Sequence, residues 1–182
     1  MKIIDHARQA RFLPQTRMGD PDLCVSATAA TSIKVRQDDL FHWFTRLDIS
    51  RVLNGYGPLP AVHRTIEQSG DWSAPGQTRK LEMSGNITAR QEVLVCERPA
   101  FFAYRVTEFT HMLDKLAWGA EARWWFDPLD DAATHMRWTY TFWPRSFAGK
   151  LALYPVIKTI WSWYMQRAIQ EMKHLAERET GS

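Results

Sequence analysis

Arg79 is the first residue whose surroundings suggest chemistry. It lies in a strand-like run from Gln77 to Met83 and shares its alternating face with Leu81 and Met83. A guanidinium on an apolar face costs free energy unless it is paired. It is therefore either half of a structural ion pair or an anchor for a ligand carbonyl, carboxylate or hydroxyl. Tyr104 alternates with Phe102 and Val106, and Tyr140 with Met136, Trp138 and Phe142. Their hydroxyls suit either a ligand or a nearby backbone group. His63 and His111 fall on or near strand ends. An imidazole facing inward there would serve as a general acid or base; facing outward, it is an ordinary surface residue.

Other chemistries find no support. His6, His42, His135 and His174 make no metal-ligand spacing, and there is no HExxH pair. No GxSxG elbow and no glycine-rich phosphate loop occurs. The expectation is no metal and no cofactor. Cys24 and Cys96 are far apart and in no CxxC pattern, which suits buried small hydrophobes in a reducing cytoplasm. Lys and Arg number 23 against 20 Asp and Glu, a net charge of +3. The basic residues are spread rather than run together, so nucleic acid is not an expected partner. The first residues lack the apolar run of a signal peptide. The most apolar stretch, Phe147 to Met165, is broken by Lys150, Pro155 and Lys158. It reads as a core helix rather than a transmembrane segment, and the expected location is cytoplasmic.

The elements that must position these residues follow from periodicity. The 182 residues suffice for one domain, and aromatics make up 13% of them, including nine Trp. Residues 1–22 are polar and read as an N-terminal extension, with a single domain over 23–179. Leu23 to Arg36 is rich in Val, Ala, Thr and Ile and predicts a strand. Asp38 and Asp39 precede Leu40, Phe41, Phe44 and Leu47 at helical spacing, and a second short helix over Asp48 to Leu53 ends at Asn54–Pro58. Six strand-like runs follow, over 61–68, 77–83, 87–96, 100–110, 116–126 and 134–143. Beyond Pro144 an apolar stripe of Ile157, Ile160, Trp161, Tyr164, Ala168, Met172 and Leu175 predicts a long helix, with a kink or restart at Pro155. The predicted class is α+β: a curved antiparallel sheet of about six to seven strands whose concave face takes the C-terminal helix.

That order, together with Trp72-Ser73-Ala74-Pro75-Gly76-Gln77-Thr78-Arg79, Ser84-Gly85-Asn86, Glu92-Val93-Leu94, Pro99 before Tyr104-Arg105-Val106, and Trp138 with Pro144 before the last helix, resembles the helix-grip fold of the START-like (SRPBCC) superfamily, in its polyketide cyclase/dehydrase-type branch. The resemblance spans residues 23–179. It implies a deep, mainly apolar cavity between sheet and helix, of the kind relatives use for lipids, sterols, hormones or polyketides. It also implies that Glu92 faces the cavity, where it could pair with Arg79.

Strand alternation supplies the rest of the candidate lining. Glu121 and Arg123 mark a solvent face, leaving Trp118, Ala120, Ala122, Trp124 and Phe126 inside. The candidate ligand-binding set is Arg79, Glu92, Phe102, Tyr104, Trp118, Trp124, Trp138, Tyr140, Trp161 and Tyr164; the apolar members would serve equally to fill a core. The leading expectation is binding of a hydrophobic, lipid-like or aromatic small molecule. An alternative is a cyclase or dehydratase, with Arg79 stabilising an enolate and Glu92, Tyr104 or His111 moving the proton. A further alternative is a partner-binding module, in which Trp125, Trp143, Trp161 and Trp163 form an exposed patch and give a homodimer.

Overall fold

In β1 (Val25–Ile33), Val25, Ala27, Ala29 and Ile33 are buried while Ser26 and Thr28 turn outward to Thr141 and Thr139, at 2.8 and 2.9 Å between hydroxyl oxygens. That alternation recurs across the sheet of this computed structural model, which describes residues 19–110 and 112–180. Most of the 1–22 extension lies outside the described residues; Pro21–Leu23 forms a 3-10 turn capped by Asp20.

Helix α1 (Gln37–Arg46) carries acidic residues in its first turn and Arg46 in its last, which complements the helix dipole. It buries Leu40, Phe41 and Phe44. The short helix that follows, Ile49–Arg51, is capped by the Asp48 carboxylate. Strands β2 (Asn54–Tyr56), β3 (Leu59–Ile66), β4 (Thr78–Met83), β5 (Ile87–Glu97), β6 (Phe101–Thr107), β7 (Ala117–Pro128) and β8 (Thr134–Pro144) run as an antiparallel meander, and β1 joins it beside β8. The sheet has eight strands, β1-β8-β7-β6-β5-β4-β3-β2, more than the expected six to seven. The addition is β2, where the sequence reads as a turn: three residues are too few to show alternation, and Gly55 and Gly57 take positive φ. Helix α2 (Met112–Leu116) is likewise too short to be periodic.

The C-terminal helical run continues from Phe147 to Thr180, and the kink or restart expected at Pro155 takes the form of a change of helical pitch. Helix α3 (Phe147–Val156) contains Pro155, which has no N–H to donate. The chain absorbs this with a π turn, Ile157–Trp161, before α4 (Ser162–Thr180). The Thr159 hydroxyl donates to the Pro155 carbonyl at 2.6 Å and the Ser162 hydroxyl to the Ile157 carbonyl at 2.8 Å. Helix α4 buries Tyr164, Met165, Ala168, Ile169, Met172, Leu175 and Ala176 against the concave sheet, largely the stripe read from the sequence. No helix among the described residues is long and apolar enough to cross a membrane.

Candidate ligand cavity

The concave face splits into two halves. Under α1 it is filled: the Phe44 ring centroid lies 5.6 Å from Phe102, 4.8 Å from Trp124 and 5.1 Å from Phe126, and Trp124 stacks on Trp138 at 4.5 Å. Towards β3 and α3 it is open, with a cavity of about 560 Å³. Val62, Leu81, Ala89 and Val106 line its sheet side, and Leu153 and Ile160 its helix side. Tyr140, Phe142, Trp161 and Tyr164 make an aromatic end in which Trp161 lies 4.9 Å from Tyr140 and 5.5 Å from Tyr164. Pro58, Met112, Ala152 and Val156 line the cavity and are exposed, which marks its mouth. Surface clefts of about 570 Å³ near Trp43–Glu179 and near His63–Thr88 are comparable in size but lined by charged and polar side chains.

Of the described residues lining the cavity, none is Asp, Glu, His, Lys or Arg. Its polar groups are Gln91, Thr110, the hydroxyls of Tyr104, Tyr140 and Tyr164, and the indoles of Trp138 and Trp161. Thr110 is engaged, its hydroxyl accepting from the Thr88 N–H at 2.9 Å. The Trp138 and Trp161 indole N–H groups are buried with no hydrogen-bond partner, which leaves two donors uncompensated. Burial pushes the Tyr104 hydroxyl up to about 12, with the Arg79 cation opposing it. Burial also raises Tyr140 well above its ordinary value, reinforced by Tyr104 and Tyr164. Tyr164 rises to about 12, through burial set against a backbone hydrogen bond at Gly55. All three are donors rather than bases at neutral pH.

Five of the candidate residues line the cavity: Tyr104, Trp138, Tyr140, Trp161 and Tyr164. Phe102 and Trp124 are buried in the filled half instead. Arg79 is buried and does not line the cavity; it belongs to a separate cleft with Asp48, Asp71 and Trp72. Its Nε–H donates to Gln91 Oε1 at 2.7 Å and its guanidinium lies 3.9 Å from the Trp72 ring centroid. Burial lowers its pKa to about 10, while Tyr104 and Asp48 work in the other direction.

Three expected positions are overturned. Glu92 lies on the convex face, where its carboxylate accepts from Arg105 Nη2 at 2.8 Å. The register pairs Arg79 with Gln91, not with Glu92, and residues directly opposed across two strands share a face. Gln91 is the residue that sequence reasoning missed. The signal was available: Arg90 and Glu92 flank a face that carries Ala89 and Val93. Trp118 is 51% exposed and packs under Arg145, whose guanidinium lies 3.8 Å from its ring centroid. An irregularity in the β7–β8 register between Ala117 and Gly119 breaks the alternation, so residues from Ala120 onward keep the expected face and Trp118 does not. Glu121, expected in solvent, is 8% exposed and paired with Arg123. His63 is exposed on β3, and His111 lies outside the described residues. The four Trp residues of the expected outer patch do not share one contact set: Trp125 sits beside Phe101 and Arg137, Trp163 beside Tyr56 and Arg167, Trp161 in the cavity wall, and Trp143 near Gly19 with its indole nitrogen buried.

A family model described as polyketide cyclase / dehydrase and lipid transport matches residues 25–177. Among solved structures, norcoclaurine synthase from Thalictrum flavum, in complex with dopamine and hydroxybenzaldehyde, aligns at TM-score 0.62 and 12% identity over 86% of this chain and 88% of that one. Ara h 8.0201 aligns at TM-score 0.62 and 13% identity over 86% and 99%. A protein from Nitrosospira multiformis aligns at TM-score 0.62 and 9% identity over 87% and 100%. At these identities the likeness is one of fold. No curated protein matches the chain in sequence.

Proposed function

The chain belongs to the polyketide cyclase/dehydrase and lipid transport family, and from that premise we propose that it binds a hydrophobic small molecule, lipid-like or aromatic, between sheet and C-terminal helix. The observation that carries this reading is the cavity of about 560 Å³, apolar over most of its wall and fringed by hydroxyl and indole donors. That is the composition of a site which holds a ligand by burial and orients it with a few hydrogen bonds. The fitting ligand has a bulky apolar body and an acceptor, such as a carbonyl or ether, for the Tyr140, Trp138 or Trp161 donors. The reading favours carriage or storage over proton transfer. Glu92 and His63 lie outside the cavity, and its tyrosines hold their protons at neutral pH. The free cysteines Cys24 and Cys96 fit a cytoplasmic setting.

The test is titration with the neutral apolar fluorophore N-phenyl-1-naphthylamine, alongside native mass spectrometry of freshly purified protein. Ala89 is buried in the cavity wall, so Ala89→Trp fills the space. The expected result is saturable binding by the parent and a loss of at least about tenfold in the variant, with an unchanged circular dichroism spectrum. Equal binding by both, or none by the parent, overturns the cavity as the site.

A further inference from the structure

The cavity mouth is surrounded by apolar side chains that the fold leaves in solvent. Phe147, Leu151 and Tyr154 stand at i, i+4 and i+7 on α3, and so form one stripe along its outer side. Phe147 is 63% exposed and Leu151 61%. The opposite side of the same helix buries Gly149 and Leu153. Across the mouth Met112 on α2 is 72% exposed. Val156 and Trp163 extend the collar along the helical run, and both are exposed. A surface helix of a soluble domain ordinarily turns charged residues outward. This one turns Phe, Leu and Tyr outward beside an opening into an apolar cavity.

The charge along this helical run has one sign. From Ala132 to Gln170 the sequence contains no Asp or Glu, while Arg145, Lys150, Lys158 and Arg167 lie within it. Lys150 and Lys158 donate to the backbone carbonyls of Asp22 and Ser26, each at 2.7 Å, and neither forms an ion pair among the described residues. Asp114 on α2 is held by Arg145 at 3.1 Å. A protruding apolar stripe with unneutralised lysines beside it is complementary to an anionic bilayer: acyl chains accept the Phe and Leu, and headgroup phosphates meet the ammonium groups. Tyr154 and Trp163 are the residue types that settle at the headgroup level. A second copy of the chain would bring the same positive charge against itself.

We propose that the α2–α3 collar docks the cavity mouth onto an anionic lipid bilayer, so that a hydrophobic ligand passes between membrane and cavity without crossing water. The ligand-transfer clause rests on the binding function above; the docking itself does not. It is tested by co-sedimentation with phosphatidylcholine vesicles, with and without phosphatidylglycerol. The chain sediments with the anionic vesicles, and added salt weakens this. Phe147→Glu with Leu151→Glu reduces binding at least tenfold. Lys150→Gln with Lys158→Gln reduces binding to the anionic vesicles on the order of tenfold. Leu129→Glu, an equally exposed leucine in the β7–β8 turn, leaves binding unchanged. Absence of sedimentation, equal sedimentation with neutral vesicles, or equal loss in Leu129→Glu overturns docking. So does a concentration-dependent dimer that the Phe147→Glu/Leu151→Glu pair abolishes, because a second copy would then cover the collar. The fluorophore titration on that pair separates the two readings: retained probe binding with lost sedimentation is docking failing alone, and the Ala89→Trp contrast tests the cavity independently.

Discussion

The two halves of the concave face share aromatic strands and end differently. Both take aromatic inner-face residues from β6 and β8; β7 adds Trp124 and Phe126 to the filled half, while Val62, Leu81 and Ala89 of β3, β4 and β5 line the open one. In one half α1 pushes Phe41 and Phe44 between those faces, and the rings meet at 4.8 to 6.5 Å. In the other half the helical run meets the sheet at one end only, where Trp161 lies 4.9 Å from Tyr140 and 5.4 Å from Phe142, and about 560 Å³ stays open beside it. Tyr104 and Trp138 form the divide, touching Trp72 and Trp124 on one side and the cavity on the other. An aromatic inner face therefore specifies neither a core nor a cavity; the element opposite decides.

The sharpest way to break this comparison is to remove the plug. Phe44 is buried among three aromatic rings. Phe44→Ala is expected to cost about 3–5 kcal/mol in chemical unfolding, because truncating a packed ring loses transfer free energy and leaves a void. Ala89→Trp, which adds bulk on the open side, is expected to cost less than about 1 kcal/mol, since the space it enters is not packed. If the two substitutions cost the same, the halves do not differ in packing.

A second test acts on the divide itself. The folded chain holds the Tyr104 proton to about 12, against 10.0 for an ordinary tyrosine. Above pH 10 the unfolded chain ionises first, so the stability present below that pH is lost progressively up to about pH 12. A shift of this size corresponds to about 3 kcal/mol. Urea unfolding between neutral pH and pH 11, followed together with phenolate absorbance, reads about half of it. Tyr104→Phe should flatten part of the decline, and an unchanged decline would mean that Tyr104 is not sealed from water.

Much of the architecture was legible in the sequence, and the exceptions have separate causes. The inner faces of β6 and β8 follow from alternation because each strand runs several residues in unbroken register. Trp118 departs from the alternation because an irregularity at Ala117–Gly119 resets that count; Gly119 is a cue to such a break, but a single glycine does not fix where the count resets. Glu92 was misread because the family pattern was followed where the local one, Arg90 and Glu92 outside Ala89, Gln91 and Val93, was the better guide. The open half was illegible for a different reason: it depends on where α3 sits. There Gly149 packs against Leu116, and a Cβ would come within 2.8 Å of its carbonyl oxygen. Pro155 signalled a break, but the π turn that absorbs it depends on the hydroxyls of Thr159 and Ser162.

The smallest expected effect concerns how the filled half is tied down. Glu179, near the end of α4, accepts from the Trp43 indole at 2.8 Å and from Arg51, so it links the last helix to α1 and to the turn after it. The Arg51 hydrogen bond, followed by that from Trp43, holds its carboxyl down to about 2, against 4.5 ordinarily. A depressed carboxylate contributes stability that is present above its unfolded value and lost as pH falls from about 4.5 towards 2. The pair is solvent-exposed, so its contribution is screened and small. Glu179→Gln keeps an acceptor for Trp43 but removes the charge facing Arg51. The expected outcome is a slightly lower midpoint in neutral urea unfolding, a smaller dependence on salt, and a shallower fall in stability below pH 4.5. Probe binding in the open half should not change. A change there would mean that the tie at α1 also sets the width of the cavity, and the two halves would then be one mechanical unit.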